Sequence, residues 1–203
     1  ILRGLVGSEM CIRDSSKLGV LENLANRVDS LIVGGGIANT FLVAANKDVG
    51  KSLYEKQLVD RARAIMDKVE VILPSDVVVS TEISDKSVAL KKLVDDIGPD
   101  EMVLDIGISS AERVSKILEA SGTIIWNGPV GVFEIEQFSE GTKSVSAAVS
   151  ESGAFSIAGG GDTLAAIEKY KISENISYIS TGGGAFLKFL ENGRLPAIDI
   201  LNQ

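Results

Sequence analysis

The sequence predicts an α/β protein, a doubly wound, Rossmann-like, mostly parallel sheet of about six strands with helices on both faces. Three observations predict it. Short apolar runs recur along the chain and end in glycine-bearing turns or at a proline. Amphipathic helical patterns fill the gaps between them. The apolar content is also aliphatic, with 45% of residues hydrophobic but only 5% aromatic, which suits strands buried on both faces.

The runs, in order, begin with Ser30–Val33 before Gly34-Gly35-Gly36, residues 69–73 ending at Pro74, and residues 77–79. Met102–Ile106 then precedes Gly107, and residues 123–126 precede Asn127-Gly128-Pro129. Residues 155–158 lead into Gly159-Gly160-Gly161, and residues 178–179 into Gly182-Gly183-Gly184. Between them, Leu58, Ala62, Ile65, Met66 and Val69 share one helical face. Val114, Ile117 and Leu118 share another, after a capping box with Ser109 as cap and Glu112 three residues on. Phe138, Val145 and Val149 mark a further helix. Strands alternating with helices imply parallel βαβ units. Gly98-Pro99-Asp100 reads as a turn inside a single domain, not as a linker.

Composition removes several kinds of chemistry. The chain has 203 residues, one cysteine (Cys11), no histidine and a formal charge of −8. A lone cysteine forms no internal disulfide, and zinc, haem and histidine-based proton transfer are disfavoured. The negative balance argues against nucleic acid and anionic membrane as partners. No apolar run approaches a membrane span, and Arg3, Glu9, Arg13 and Asp14 break up any signal-like stretch. A cytoplasmic monomer is expected. The start at Ile1, without Met, reads as a fragment.

Open parallel sheets bind ligands beyond the carboxyl ends of their strands. Three triple-glycine turns fall at such ends here, each before a helical stretch. Such a turn either closes a tight connection or seats a phosphate on free N–H groups at the positive end of a helix. In Gly159-Gly160-Gly161-Asp162-Thr163, Asp162 stands where an N-cap would be. It either caps the helix or meets a magnesium ion escorting phosphates. From Trp126 to Glu134, a strand end runs into a Gly-Pro turn, an apolar pair and a carboxylate. That suits a nucleoside with its ribose on Glu134, or else a plain corner with Glu134 in solvent. Gly50-Lys51-Ser52 is not a P-loop, because Ala45 stands where glycine is required. Gly34-Gly35-Gly36-Ile37-Ala38-Asn39 fails as a dinucleotide fingerprint at Asn39.

Taken in order, these segments resemble the C-terminal domain of phosphoglycerate kinases from residue 15 to 203. The carrying stretches are Ser15-Ser16-Lys17, Leu31-Ile32-Val33-Gly34-Gly35-Gly36, Leu73-Pro74-Ser75-Asp76, Leu104-Asp105-Ile106-Gly107, Trp126 to Glu134, Gly159 to Thr163 and Ile179 to Ala185. The resemblance implies reversible phosphoryl transfer between 1,3-bisphosphoglycerate and ADP, with Mg²⁺ and with ATP or ADP as co-substrate. It implies that Lys17 contacts nucleotide phosphates and that Gly35, Gly36, Pro129, Gly131 and Val132 wall an adenosine slot. Val103 stands in that slot where the family often has glycine. Glu134 would take the ribose, Gly160, Gly161, Asp162 and Thr163 the phosphates, and Asp162 the magnesium ion. Thr181, Gly182, Gly183 and Gly184 would face the transferring phosphoryl group.

Such chemistry rests on positioning and charge neutralisation, which agrees with the absence of histidine. Two departures stand out. The family's N-terminal domain, which binds 3-phosphoglycerate, is absent, so the chain alone is expected to be inactive. Residues 1–14 are unlike the family and are read as foreign to the fold; within them Arg13 falls where a catalytic lysine would stand, keeping the charge but not the compact ammonium. Two alternatives are a non-catalytic nucleotide-binding or scaffold module and a nicotinamide-dependent dehydrogenase.

Overall fold

Alternation along each central strand sends side chains to opposite faces of one sheet, and the two faces carry separate apolar cores. The computed structural model describes the backbone of residues 5–7, 15–182 and 185, and side chains from residue 18. Its larger sheet has six strands in the order β3-β2-β1-β7-β8-β9. These are β1 (Leu5–Gly7), β2 (Ser30–Val33), β3 (Glu70–Ile72), β7 (Thr123–Asn127), β8 (Phe155–Gly159) and β9 (Tyr178–Ser180). Every pairing within it is parallel.

Leu31, Val33, Ile125 and Ile157 point to one face, where they meet helices α1 (Ser15–Leu24), α2 (Gly35–Ala44) and α3 (Val59–Met66). Ile32, Ile72, Ile124, Trp126 and Ala158 point to the other, against α4 (Ile108–Glu119), α5 (Glu140–Glu151) and α6 (Gly161–Tyr170). The period of two in the strands therefore generates two layers of helices. Trp126 is fully buried, and its indole N–H donates to the Gly128 carbonyl at 2.9 Å, so the largest core side chain leaves no polar atom unpaired. Among the described residues, no helix is long and apolar enough to cross a membrane.

Three features differ from the sequence expectation. Residues 5–7, read as outside the fold, form β1 in the middle of the sheet, registered with β2 and β7. Three residues are too few to show a periodic signal, so only the neighbouring strands reveal this one.

The runs at 77–79 and 102–106 do not join the parallel sheet. They belong to β4 (Asp76–Ser80) and β6 (Met102–Ile106), which with β5 (Leu90–Leu93) make a separate antiparallel sheet ordered β5-β4-β6. The reason is chain length. Only residues 73–75 separate β3 from β4, whereas a parallel crossover needs about a dozen.

The capping box at Ser109 is also absent. Helix α4 starts at Ile108 with Gly107 as N-cap. Its first turn is held instead by Asp76, whose carboxylate accepts from the Ser110 N–H at 2.7 Å and the Ser109 N–H at 3.0 Å. The Ser110 hydroxyl donates to the same carboxylate at 2.5 Å. Partial burial pushes the Asp76 carboxyl up, but the hydrogen bonds from Ser110 and Ser109 together outweigh it and hold it below the usual range.

A carboxyl lowered in the folded state stabilises above its unfolded value and loses that contribution as pH falls through the folded value. Asp76→Ala should cost about 2 kcal/mol in urea denaturation at neutral pH. The gap between variant and wild type should close as pH is lowered below about 4.

Candidate functional site

All strands of the large sheet run the same way, so their carboxyl ends share one rim. On that rim lie the corners β2–α2 (Gly34 to Gly36), β7 onward (Asn127 to Glu134) and β8–α6 (Gly159 to Thr163), with Thr181 and Gly182 just past β9. Helix α1, whose third residue is Lys17, is the next described element after β1 in the chain. Arg13, Gly183 and Gly184 lie outside the described residues, as does the side chain of Lys17.

The corners are bonded to one another. The Gly35 N–H donates to the Val130 carbonyl at 3.2 Å, which ties the start of α2 to the Gly-Pro turn. The Gly159 carbonyl accepts twice, from Asn127 Nδ2 at 2.6 Å and from the Thr163 hydroxyl at 2.7 Å. Thr163 Oγ1 in turn accepts the Gly128 N–H at 2.6 Å. The bonds among Asn127, Gly128, Gly159 and Thr163 are buried, so the geometry of these two corners is fixed by directed bonds in a low-dielectric interior. Gly160 needs to be glycine: its φ is +97°, and a Cβ there would stand 2.6 Å from Asn127 Nδ2.

A cleft opens beside these corners, about 570 Å³ including the space open to solvent. Six of the residues expected to wall a slot line it together: Gly35, Gly36, Val103, Pro129, Gly131 and Val132. The sequence reading did not anticipate Asn39, Leu53 or Ile83 in the same lining. Leu53 and Ile83 come from loops that only the folded chain brings alongside the rim.

Past the cleft, Glu134 is exposed, and the Lys169 ammonium steadies its neighbour Phe133. Lys169 Nζ donates to the Phe133 carbonyl at 2.6 Å and lies 5.8 Å from its ring centre.

Asp162 is not the N-cap of α6, as the sequence suggested. Gly160 takes that place, and Asp162 sits within the first turn. The triple glycine starts the helix earlier because only glycine tolerates the positive φ at the cap. Asp162 is half-buried and makes no hydrogen bond or ion pair among the described residues. Neither α2 nor α6 has a side-chain cap. Thr163, by contrast, is fully buried, with its hydroxyl already engaged in the corner.

Beneath Gly131 lies Asp105, 1% exposed, a residue whose special position the sequence reading passed over. Its carboxylate accepts the Gly141 N–H in the first turn of α5 at 2.7 Å and its own neighbour's N–H, Ile106, at 2.9 Å. A Cβ on Gly131 or Gly141 would collide with this carboxylate. The adjacent Leu104 carbonyl accepts the Val132 N–H at 2.8 Å, so the end of β6 holds the Gly131-Val132 wall from below. The signal available in the sequence was an acid inside an otherwise apolar strand (Val103-Leu104-Asp105-Ile106), which demands a partner.

Burial pushes the Asp105 carboxyl up to about 7, overcoming the Gly141 and Ile106 N–H groups that favour its charged form, and nearby Glu140 adds repulsion. The native chain therefore holds a proton that the unfolded chain has already released. Stability should fall as pH rises from about 4 to about 7, by at most roughly 4 kcal/mol at 1.36 per unit, and should flatten above. Urea denaturation across that range checks it. Asp105→Ala should be less stable at low pH and should lack this slope.

A family model described as phosphoglycerate kinase matches residues 12–193. The fold is similar to that of phosphoglycerate kinase from Coxiella burnetii, at 47% identity and a TM-score of 0.92, over 98% of this chain and 52% of that one. It is similar also to phosphoglycerate kinase from Pyrococcus horikoshii OT3, at 33% identity and a TM-score of 0.83, over 99% of this chain and 51% of that one. The chain thus spans about half the length of these relatives. With the family model matched along most of its length, the chain belongs to the phosphoglycerate kinase family.

Proposed function

We propose that this chain is the nucleotide-binding half of a phosphoglycerate kinase. It takes Mg-ADP or Mg-ATP on the carboxyl rim for reversible phosphoryl transfer with 1,3-bisphosphoglycerate, in glycolysis and in the cytoplasm. The phosphoglycerate itself would be supplied by the partner half that the family carries. By itself, therefore, the chain binds nucleotide without turnover.

The observation that carries this reading is a contrast among helix starts. Helices α4 and α5 have their first turns satisfied by internal carboxylates, Asp76 and Asp105. Helix α6 begins on glycine with no side-chain cap, next to the slot, and offers an unengaged carboxylate at Asp162. Open N–H groups at a positive helix end suit phosphate oxygens. A carboxylate at their edge suits the accompanying cation.

The residues fit magnesium in the way that ion is usually held. No group of three or more acidic, histidine or cysteine side chains gathers among the described residues. Mg²⁺ commonly takes one or two carboxylates and completes its shell with phosphate oxygens and water, so Asp162 alone is a sufficient protein ligand. When bound, the ion would neutralise charge on the phosphates. The slot would hold the base against Val132 and Pro129, and Glu134 would receive the ribose hydroxyls. Thr181 and Gly182, with Gly183, Gly184, Lys17 and Arg13, would border the phosphoryl group in transit.

Calorimetry with Mg-ADP tests the reading. Heat of binding and a raised melting temperature are expected, and the absence of both at millimolar nucleotide would overturn it. Added ATP and 3-phosphoglycerate should give no turnover; turnover would overturn the claim that the partner half is required. Asp162→Asn should lower the magnesium-dependent part of the affinity about tenfold, roughly one charge-assisted contact. Its melting temperature should hardly move, because Asp162 is not the cap. Glu134→Ala should weaken ADP by a similar factor of about ten, with or without magnesium.

A further inference from the structure

The segment that walls the slot is tied at both ends to one helix. In the first turn of α6, Thr163 Oγ1 accepts the Gly128 N–H at 2.6 Å. In its last turn, Lys169 Nζ donates to the Phe133 carbonyl at 2.6 Å. Residues 128–133 include the slot residues Pro129, Gly131 and Val132, so this stretch is held between two points on a single helix. The first tie belongs to the glycine corners. The second lies outside the slot lining and has no part in them.

Lys169 is held on several sides. Its ammonium lies 5.8 Å from the Phe133 ring centre, 5.7 Å from that of Tyr170 and 3.7 Å from the Glu136 carboxylate. Fixing a long side chain costs rotamer freedom, and here four groups offset that cost together. Its shortest contact is to a neutral main-chain carbonyl and not to the carboxylate, so the bond does more for the backbone than for a surface ion pair.

That carbonyl belongs to the peptide unit joining Phe133 to Glu134. On one side, the Phe133 side chain is buried in the core and its N–H donates to the Gly131 carbonyl at 2.9 Å. On the other, the Ile135 N–H donates to the Val132 carbonyl at 3.1 Å. Glu134 between them is exposed, and its side chain makes no hydrogen bond or ion pair among the described residues. The direction in which its carboxylate leaves the chain is therefore set by the peptide plane, and Lys169 holds that plane.

We propose that Lys169 is a positioning residue for the ribose: by fixing the peptide between Phe133 and Glu134, it preorganises the Glu134 carboxylate to receive the ribose hydroxyls. It acts through the main chain. The helix whose start is assigned to the phosphates thereby also sets the ribose end, and the spacing between the two is built into α6. An acid already held in its bound direction loses less freedom on binding than a mobile one. The proposal rests on the nucleotide reading above and adds to it the residue that orients its ribose acid.

The test compares ADP with 2′,3′-dideoxy-ADP, which lacks the ribose hydroxyls, in magnesium-containing titrations of the wild type and Lys169→Met. Methionine keeps the apolar stem and loses the ammonium, at a side chain that is 34% exposed, so the fold should survive. The wild type should prefer ADP by about tenfold. Lys169→Met should weaken ADP about fivefold and leave the dideoxy analogue unchanged. In a Glu134→Ala background the same substitution should have no further effect on ADP. Equal losses for the two ligands would overturn the proposal, since they would show only a general role in holding α6 to the slot wall. Unchanged ADP affinity would do the same, and both results leave wild-type nucleotide binding standing. A wild type that binds the two ligands equally would remove Glu134 from the ribose and this proposal with it; one that binds neither would overturn the nucleotide reading as well. Lys169→Gln, one atom shorter and neutral, gives the same comparison if the methionine variant does not fold. Failure of both variants to fold would also defeat the proposal, because the lysine would then be required by the fold itself.

Discussion

The Gly159 carbonyl is the constraint on which the rim depends. It stands at the end of β8, buried, and accepts hydrogen bonds from both Asn127 and Thr163. Asn127 ends β7, Thr163 lies in the first turn of α6, and Thr163 also receives the Gly128 N–H. Two corners, 32 to 35 residues apart in sequence, are locked by buried atoms that have no water with which to exchange. Sheet pairing alone would leave each loop free to choose its own path. This knot instead sets the angle at which α6 departs and the position of the Gly-Pro turn that walls the slot.

Charge placement follows a related rule. The chain carries a formal charge of −8, a field unfavourable to a polyphosphate. Two acids that might have worsened it locally, Asp76 and Asp105, are turned inward onto the first turns of α4 and α5. There the helix dipole and direct N–H donors offset their burial, completely for Asp76 and only in part for Asp105. Helix α6 is left with an open start and one acid at its edge. Under the proposed reading, the same physics serves both purposes. The starts of α4 and α5 are closed by the chain's own carboxylates, and the start of α6, assigned to the ligand, is left open.

Both faces of the large sheet are covered within the described residues. Each face of the central sheet has its own layer of helices and its own buried cluster, so neither needs a further domain to cover it. The chain spans about half of its phosphoglycerate kinase relatives.

The sequence by itself determined the fold class and the location of the candidate site. Period-two apolar runs and 3.6-period helices are local properties, and glycine clusters at strand ends are visible without coordinates because only glycine adopts the backbone those turns require. The sequence did not determine which strands pair. Residues 5–7 were too short to carry a pattern, and the run at 77–79 looked like every other strand although a three-residue connection forbade it a parallel place. Nor did it decide that Asp76, not Ser109, holds α4, that Gly160, not Asp162, caps α6, or that Lys169 holds the Phe133 carbonyl. Such facts depend on contacts between residues far apart in the chain and on exclusion of water, and both exist only once the layers have packed.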